Sequence, residues 1–334
     1  MSKKAAATIT DVARLANVTT ITVSRAFNQP QLLKPQTLER ILGIARELDY
    51  VPNAFARGLK RSESLIVGVV TASVYNPFYS DMIQGISREA KRQGYTIMLI
   101  DTDGVAELEE KAIQTLLGYR VAGIILSPVS DEPGYQPAYL SQLRNGDVPV
   151  VQLDRTLHGT PFSLVVLDNF HSGVKAGAYL LARQPAVRRV LALTGPARSR
   201  ISHDRLAGLQ QAIAGSGREV RLDVIPGDYT LEPAYRAALA YLDEHGAPDA
   251  LFGFNQLITL GALKALRDRG IPRSSLAICG IDRLPFADIF EIPIACVAHD
   301  GLRTGETAMR LVLEQIQQPG RPAVREVMVG ELEG

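Results

Sequence analysis

The spacing of apolar residues changes along this 334-residue chain, and near residue 65 a purely helical pattern gives way to a mixed one. Up to that point apolar side chains recur every three or four positions, which is typical of short amphipathic helices. Three such helices are predicted within residues 9–49. Thr10 is the expected N-cap of the first helix, the second begins near Thr20, and Pro35 opens the third. Asn17 lies in the break between the first two and favours a tight turn, because asparagine tolerates the left-handed conformation.

From residue 65 onward, short apolar runs alternate with helical segments. Nine strands are predicted, in two successive series, at residues 65–70, 95–100, 121–126, 148–153, 163–167, 189–193, 220–225, 250–254 and 276–279. The segments between them fit helices, for example at residues 78–93, 178–183, 204–214, 233–244 and 260–268. This alternation predicts an α/β fold whose parallel sheets are covered by helices on both faces. Because the strands form two series, we expect two lobes, with a ligand in the cleft where the carboxyl ends of the strands meet.

The pattern divides the chain into a small all-helical head, a connecting segment and a two-lobed core. These parts are expected at residues 1–49, 50–62 and 63–334. Within the core, we expect the first lobe at residues 63–160 with 293–322, and the second lobe at residues 161–292 with 323–334. The connecting segment is predicted to be a short helix followed by a linker. Gly58 within that helix costs about 1 kcal/mol relative to alanine, so the helix is not expected to be stable by itself in water.

Charge is distributed unevenly along the chain. The whole sequence has 36 basic and 35 acidic side chains, for a formal net charge of +1. Residues 1–61 carry ten basic and four acidic side chains, a net charge of +6, and the remaining 273 residues have a net charge of −5. A basic head on an acidic body points to a polyanionic partner. Charge alone leaves an incidental fluctuation of the surface equally open.

Composition argues against several classes of protein. No run of about 18 apolar residues is present, so no membrane span is expected. The first residues lack the apolar stretch of a signal peptide, which favours a cytoplasmic location. Cys279 and Cys296, the only cysteines, lie in apolar runs and are expected to be buried thiols. The histidines show no metal-ligand spacing and the glycines form no nucleotide-binding loop, so neither a metal nor a cofactor is expected.

The second predicted helix has an apolar inner face and leaves polar side chains outside. A helix that follows such a turn can enter the major groove of DNA, where its first turn reads base edges. Arg25 suits the O6 and N7 atoms of a guanine, and Thr20 and Ile21 are further base-reading candidates. Candidates for phosphate contacts, which fix register, are Thr8, Thr22, Ser24, Asn28, Thr37, Asn53 and Arg57. The alternative is a structural three-helix subdomain with a polar outer face.

Three segments of the head and the connecting segment carry a resemblance to a known family. They are residues 9–13 with a Val-Ala pair, residues 18–28 with Thr-Val-Ser-Arg, and residues 50–57 with the pattern Tyr-x-Pro-Asn-x-x-Ala-Arg. In this order and spacing they resemble the head of the lac-repressor/galactose-repressor family of bacterial transcriptional regulators. The resemblance continues through nearly the whole core, at Asn76, Pro77, Phe78, Asp154, Arg155, Asp168, Asn169, Arg205, Leu206, Ala207, Gly208, Asn255, Gly280, Ile281 and Asp282.

The resemblance implies a helix-turn-helix head, a hinge helix and a core similar to periplasmic sugar-binding proteins. It implies that the protein binds a palindromic operator as a homodimer, and that a small effector in the cleft changes its affinity for DNA. It places the hinge helix in the minor groove, with Leu59 at the position of a leucine that wedges between bases. Such a wedge costs a few kcal/mol of unstacking, which contacts in the bent DNA offset. The alternative for Leu59 is an ordinary core leucine.

Nine residues are expected to bind the effector, because the resemblance assigns them or because they follow predicted strands. They are Pro77, Phe78, Ser127, Asp154, Arg155, Arg205, Tyr229, Asn255 and Asp282. Carboxylates, an amide and a guanidinium make paired hydrogen bonds to hydroxyl-rich ligands, while the two aromatic rings provide an apolar or stacking wall. The alternative for the acidic residues and Arg205 is a buried salt bridge between the lobes.

Two departures from the family bear on the effector. Gln256 stands where the family often has an aspartate. Additional basic residues surround the expected pocket, namely Arg155, Arg198, Arg200 and Arg283. Unless they are solvated surface residues, they favour an acidic effector, such as a sugar acid or a sugar phosphate, over a neutral sugar.

The sequence therefore predicts a DNA-binding transcriptional regulator, a repressor of sugar or sugar-acid catabolism genes. Its expected partners are operator DNA, a small effector (a sugar, sugar acid or sugar phosphate) and a second copy of the chain. The tail carries no leucine heptad, so we expect a dimer and not a tetramer. The alternatives are a solute-binding protein for transport and a sugar-type enzyme on the same core. The missing signal peptide and the head argue against the first, and the absent nucleotide-binding loops argue against the second.

Overall fold

The computed structural model describes residues 7–51, 64–287, 289 and 294–334. Two compact units divide the chain, at residues 1–64 and 65–334. The first unit contains three α-helices among the residues described, α1 (Ile9–Leu15), α2 (Thr20–Asn28) and α3 (Pro35–Glu47). A short 3-10 turn at Pro30–Leu32 stands between α2 and α3.

Two helices of the head, α1 and α2, begin at residues whose side chains satisfy free backbone N–H groups. The oxygen of the Thr8 side chain accepts from the backbone of Asp11 at 3.3 Å, and the Asp11 carboxylate accepts from the backbone of Thr8 at 3.0 Å. The expectation that Thr10 caps α1 was therefore wrong, because this reciprocal pair starts the helix two residues earlier. Thr19 caps α2 by accepting from the backbone of Thr22 at 3.2 Å. The predicted starts of α2 and α3 are confirmed.

A small apolar core holds the three helices together. Val12 of α1, Val23 of α2 and Ile41 of α3 are each fully buried in it. Asn17 in the turn before α2 has a φ of 52°, which is the left-handed conformation expected of it. The apolar faces of α1 and α2 are thus turned inward, and the polar face of α2 is left to solvent.

The second unit alternates strands and helices. Its strands are β1 (Ile66–Thr71), β2 (Thr96–Asp101), β3 (Gly123–Leu126), β4 (Val150–Leu153), β5 (Ser163–Leu167), β6 (Arg189–Thr194), β7 (Arg221–Pro226), β8 (Ala250–Gly253), β9 (Ala277–Ile281), β10 (Ala295–Ala298), β11 (Arg325–Met328) and β12 (Glu331–Glu333). Its helices are α4 (Pro77–Arg92), α5 (Ala106–Gly118), α6 (Leu140–Asn145), α7 (Asn169–Arg183), α8 (Arg200–Gly215), α9 (Leu231–His245), α10 (Gln256–Asp268) and α11 (Gly301–Gln317).

The strands form two six-stranded sheets, and each sheet with its helices is a lobe. The order in the first lobe is β11-β5-β4-β3-β1-β2, and in the second lobe it is β12-β10-β9-β8-β6-β7. All pairs are parallel except β10 with β12, which is antiparallel. In the first lobe α4 and α11 pack together and share a core with β1 and β4, while α5 and α6 share another core with the same sheet. The predicted α/β class with parallel sheets is confirmed.

Three strands lie in a different lobe from the one expected. β5 and β11 belong to the first sheet and not to the second, and β10 belongs to the second sheet and not to the first. β5 continues the parallel ladder of β4, and β11 pairs with β5 in turn. The chain thus leaves the first lobe after β5, returns after β10 and leaves it again after β11. The expected lobe boundaries were wrong because strands of both sheets are equally apolar, so the pattern does not reveal which sheet a strand joins.

Candidate functional site

The outer face of α2 is open to solvent. Thr20, Ile21 and Arg25 are exposed there, on the side opposite the buried Val23 and Ala26. The guanidinium of Arg25 forms no hydrogen bond or ion pair with any residue that the structure describes. Its five donors are therefore available to an outside partner.

The remaining polar candidates of the head are partly engaged within it. The hydroxyl of Thr22 lies 3.0 Å from that of Thr19, and the amide of Asn28 donates to the carbonyl of Ser24 at 2.8 Å. Thr37 is half-buried near the start of α3, and Thr8 is exposed as the cap of α1. Asn53, Arg57 and Leu59 lie outside the described residues.

A cavity of about 320 Å³ lies between the two lobes of the core. Its lining from the first lobe includes Ser73, Asn76, Tyr79, Asp103, Val129, Ser130, Asp131, Glu132 and Arg155. Its lining from the second lobe includes Pro196, Ser199, Asp228, Tyr229, Thr230 and Leu257. We call it the effector cavity. Of the nine residues expected to bind an effector, Arg155 and Tyr229 line it.

Arg155 reaches across the effector cavity from the loop after β4. Its Nη1 donates to the carbonyl of Val129 at 2.7 Å, and its guanidinium carbon lies 5.4 Å from the centre of the Tyr229 ring. Burial by itself lowers the pKa of Arg155, but the neighbouring Tyr79 and Asp154 outweigh it and raise that pKa overall. The arginine thus stays charged and stacks on an aromatic ring of the other lobe.

The phenol of Tyr79 and the carboxylate of Asp154 form a buried hydrogen-bonded pair next to Arg155. The hydroxyl of Tyr79 donates to Asp154 at 2.8 Å and lies 3.0 Å from the hydroxyl of Ser127. Burial raises the pKa of Asp154, and the charge of Arg155 together with the hydrogen bond from Tyr79 opposes that rise. Burial also raises the pKa of Tyr79, which keeps the phenol protonated as the donor. Tyr79 was missed in the sequence, where it has the pattern of a core residue.

Asp131 links the two lobes at the edge of the effector cavity. Its carboxylate accepts from the hydroxyl of Ser199 at 3.1 Å and from the backbone N–H of Ile201 at 3.0 Å, both at the start of α8. The hydroxyls of Ser199 and Ser202 each lie 2.7 Å from the phenol of Tyr229. A second link joins the amides of Gln256 and Asn76 at 2.9 Å. An isolated aspartate in a loop gives no sequence signal, so Asp131 was missed.

Arg205 and Asn255 line neither the effector cavity nor a smaller cavity beside the start of α8. Arg205 is buried, donates through Nε to Asn169 at 2.8 Å and contacts the carbonyl of Phe254. Asn255 caps α10 by accepting from the backbone of Ile258 at 2.8 Å, and its amide donates to the carbonyl of Tyr229 at 3.0 Å. Both side chains therefore hold the backbone around the effector cavity.

Asp282 also contacts a side chain of the core and does not line the effector cavity. Its carboxylate lies 3.2 Å from Nδ1 of the buried His299, whose Nε2 lies 3.1 Å from the hydroxyl of Ser172. The ring of Phe78 packs edge-on at 6.3 Å from the His299 ring and does not form a wall of the effector cavity. Pro77 occupies the first turn of α4.

Of the four arginines expected to surround the pocket, only Arg155 lines the effector cavity. Arg198 is 84% exposed in its side chain and lies 3.9 Å from Glu132, and Arg283 pairs with Glu333. Arg200 lines a different, smaller cavity. Among the described residues, Arg155 alone supplies a basic side chain to the effector cavity, whereas the acidic side chains there are Asp103, Asp131, Glu132 and Asp228. Local charge therefore favours an uncharged ligand over an anion.

The loop that carries Asp131 is fixed by a buried carboxylate. Glu109 of α5 accepts from the backbone of Val129 at 2.5 Å and from the hydroxyls of Tyr139 at 2.6 Å and Tyr135 at 2.7 Å. Burial raises the pKa of Glu109, and these three hydrogen bonds oppose the rise. The shape of this wall of the effector cavity thus depends on a titratable group that contacts no solvent.

The head is helical and has an open polar face, and the two-lobed core encloses a polar cavity. This combination is typical of DNA-binding transcriptional regulators that respond to a ligand. Residues 8–53 match the family described as bacterial regulatory proteins, lacI family. Residues 64–327 match the one described as periplasmic binding proteins and sugar binding domain of LacI family. The chain belongs to the LacI family. It is a DNA-binding transcriptional repressor with a ligand-binding domain and not an enzyme.

The relatives and solved structures agree with this assignment. The chain is 29% identical over 317 residues to the HTH-type transcriptional repressor PurR of Vibrio campbellii, which is 93% of this chain and 92% of that one. The lac repressor dimer bound to operator and the anti-inducer ONPF has the same fold, with a TM-score of 0.82 at 24% identity over 98% of both chains. A complex of the transcriptional regulator CelR with cellobiose has a TM-score of 0.71 at 26% identity, also over 98% of both chains.

Two further properties of the described residues bear on other classes of site. No helix among them is both long and apolar enough to pass through a bilayer. They also contain no group of three or more histidine, cysteine or acidic side chains arranged to hold a metal ion. Cys279 and Cys296 are buried, and burial raises the pKa of Cys279 to about 12 and that of Cys296 to about 11.

The raised pKa of Glu109 predicts a pH-dependent stability. A carboxyl whose pKa is higher in the folded than in the unfolded chain stabilises fully below its unfolded value, about 4.3, and loses that contribution as pH rises through the folded value. The free energy of unfolding of the wild type, relative to Glu109→Gln, should therefore fall as pH rises above about 4.3. Urea denaturation at a series of pH values measures this difference. Glu110→Gln, an exposed neighbour on α5, is the control and should give a smaller pH dependence. Parallel curves for the wild type and Glu109→Gln would contradict the role assigned to burial.

Proposed function

We propose that this repressor controls genes of sugar catabolism, binds a palindromic operator as a homodimer in the cytoplasm, and responds to a neutral sugar in the effector cavity. The observation that carries the proposal is the lining of that cavity, which combines carboxylates, an amide and hydroxyls with the aromatic rings of Tyr79 and Tyr229. Carboxylates accept hydrogen bonds from sugar hydroxyls, and an aromatic face packs against the apolar side of a sugar ring.

The charge of the cavity lining supports a neutral effector over the acidic one that the sequence favoured. Four carboxylates repel an anion, and the only arginine of the described lining, Arg155, already donates to the carbonyls of Pro128 and Val129. A sugar acid or phosphate would bring a further negative charge with no free cation to receive it. The cellobiose of the CelR complex and the sugar-binding description of the matching core family support the same choice of ligand class.

The proposal assigns direct contact with the effector to Tyr229, Arg155, Asp131 and Asn76. It assigns to Asp154, Arg205, Asn255 and Asp282 the role of holding the surrounding walls, because none of them lines the effector cavity and each has a protein partner within hydrogen-bond distance. Pro77, Phe78 and Ser127 belong to the same supporting layer. A sugar that replaces the Asp131–Ser199 hydrogen bond would change how far the lobes close.

For DNA, we propose that Arg25, Thr20 and Ile21 read base edges in the major groove, since they share the exposed face of α2. Thr8, Thr22, Ser24, Asn28 and Thr37 are assigned to phosphate contacts, together with the hinge residues Asn53 and Arg57, and Leu59 is assigned the minor-groove wedge. Lobe closure changes the affinity of these elements for the operator. Coupling of this kind is typically about 1–3 kcal/mol.

The role of Arg25 can be tested by two substitutions. Arg25→Ala should weaken operator binding by about 1–3 kcal/mol and relax the preference for one base pair, because a bidentate contact to guanine is lost. Arg25→Lys keeps the charge but not the planar fork, so it should retain the salt dependence of binding and still lose the base preference. Binding to a library of operators randomised at each position measures both properties. An unchanged base preference in Arg25→Ala would remove this residue from the base-reading set.

The class of effector can be tested by thermal denaturation with neutral sugars, the corresponding sugar acids and the sugar phosphates. At least one neutral sugar should raise the melting temperature, because a ligand that binds only the folded state stabilises it by mass action. Tyr229→Leu should weaken the binding of that sugar by about tenfold, because the aromatic ring and its hydroxyl are lost. Tyr235→Leu removes a tyrosine outside the cavity lining and serves as the matched control. Stabilisation by acids or phosphates alone would refute the neutral-sugar proposal and leave the repressor assignment intact.

A further inference from the structure

Four consecutive residues in the lining of the effector cavity belong to one loop. Residues 127–139 connect β3 to α6, and the part that lines the cavity consists of Val129, Ser130, Asp131 and Glu132. We call this segment the cavity loop. It also supplies the carbonyls that hold Arg155, so the proposed contacts with the effector depend on its conformation.

A single buried carboxylate anchors the cavity loop at both ends. Glu109 of α5 is fully buried, does not line the effector cavity and accepts from the backbone N–H of Val129 at 2.5 Å, near the start of the loop. Near the end of the loop it accepts from the hydroxyls of Tyr135 at 2.7 Å and Tyr139 at 2.6 Å. An ionised carboxylate only accepts hydrogen bonds, so it suits a site where three donors converge. A neutral side chain of the same size carries a donor of its own and forces at least one of the three to give up its hydrogen bond.

One peptide group connects Glu109 to Arg155. The N–H of the peptide between Pro128 and Val129 donates to Glu109, and its carbonyl oxygen accepts from Nη1 of Arg155 at 3.4 Å. The same Nη1 donates to the carbonyl of Val129 at 2.7 Å. A negative charge at the N–H and a positive charge at the carbonyl polarise a peptide in the same direction, so the two hydrogen bonds strengthen each other. The carboxylate thus helps to keep the guanidinium against the cavity loop and over the Tyr229 ring.

The link between the lobes lies two residues farther along the cavity loop. Asp131 accepts from Ser199 and Ile201 of the second lobe. Its loop is anchored to α5 of the first lobe at Val129. A shift of the anchored peptide therefore displaces the carboxylate that joins the lobes.

We propose that Glu109 is a positioning residue for the response to the effector: its negative charge holds the cavity loop where Arg155 reaches the cavity and Asp131 reaches α8. Glu109 acts through these two residues and not by contact with the ligand. This role rests on the proposed function, in which the effector cavity controls the affinity for operator DNA.

The anchor can be tested without any ligand by hydrogen–deuterium exchange of the full chain, followed by mass spectrometry. Glu109→Gln keeps the size of the side chain and removes its charge, so amides of residues 127–139 should exchange about tenfold faster. Glu110→Gln removes the same charge from the exposed face of α5 and should leave this exchange unchanged. Tyr135→Phe removes one donor to the carboxylate and should give a smaller increase, so it serves as the second variant if Glu109→Gln does not fold.

The functional consequence is measured as operator affinity in the absence of sugar. Glu109→Gln and Asp131→Ala should change it in the same direction, and the double variant should differ little from Asp131→Ala, because both substitutions disturb one lobe link. Tyr135→Phe should act in the same direction to a smaller extent. A role in stability alone would lower the midpoint of urea unfolding and leave the operator affinity of the folded protein unchanged.

Wild-type exchange of the cavity loop in Glu109→Gln and Tyr135→Phe would overturn the proposal. An operator affinity that Asp131→Ala changes and folded Glu109→Gln does not would overturn it as well, and so would fully additive effects of the two substitutions. These results would leave the proposed function intact. No change of operator affinity in Asp131→Ala itself would refute the coupling between the lobes and DNA, and this role of Glu109 with it.

Discussion

The two lobes of the core are joined where the carboxylate of Asp131 accepts hydrogen bonds from the side chain of Ser199 and the backbone of Ile201. A side chain of the first lobe thereby satisfies the first turn of α8 in the second lobe, where the partial positive charge of the helix favours an anion. The loop that carries Asp131 is held in turn at Val129 by the buried Glu109. The spacing of the lobes thus depends on a few polar groups in the walls of the two cavities. A ligand that competes for these groups can alter lobe closure without disturbing either apolar core.

The connections between the lobes favour hinge motion about a defined axis. The described chain crosses from one lobe to the other after β5, after β10 and after β11, so any opening must be absorbed at three neighbouring segments. His299, which follows β10, contacts Asp282 and Ser172 of the second lobe, and Lys175 donates to the carbonyl of Gly330 after β11. These contacts hold the crossings together, whereas the Asp131 link joins the lobes at the edge of the effector cavity. This division between a fixed hinge and a polar link is what an effector-controlled repressor requires.

The class of fold and the head could be predicted from the sequence because apolar periodicity follows directly from the geometry of helices and strands. The lobe of β5, β10 and β11 could not, since it depends on pairing between distant segments. The same limit applies to the site. Tyr229 and Arg155 follow predicted elements and do line the effector cavity, but Arg205 and Asp282 were expected there and instead contact protein groups. Asp131 and Tyr79 are single residues without a motif, and only the tertiary fold brings them to the cavity. The assignments of residues to base, phosphate and effector contacts stay predictions.

We propose that the polar link between the lobes controls the affinity of the head for DNA. The most direct measurement is the operator dissociation constant of Asp131→Ala beside that of the wild type, at one fixed salt concentration and without any sugar. Glu132→Ala, which removes a neighbouring carboxylate that accepts no hydrogen bond from α8 in the described structure, is the matched control. Asp131→Ala should change operator affinity by about 5- to 150-fold, the range of allosteric coupling, while Glu132→Ala should change it much less. Equal operator affinity for Asp131→Ala and the wild type, with both proteins folded, would contradict it.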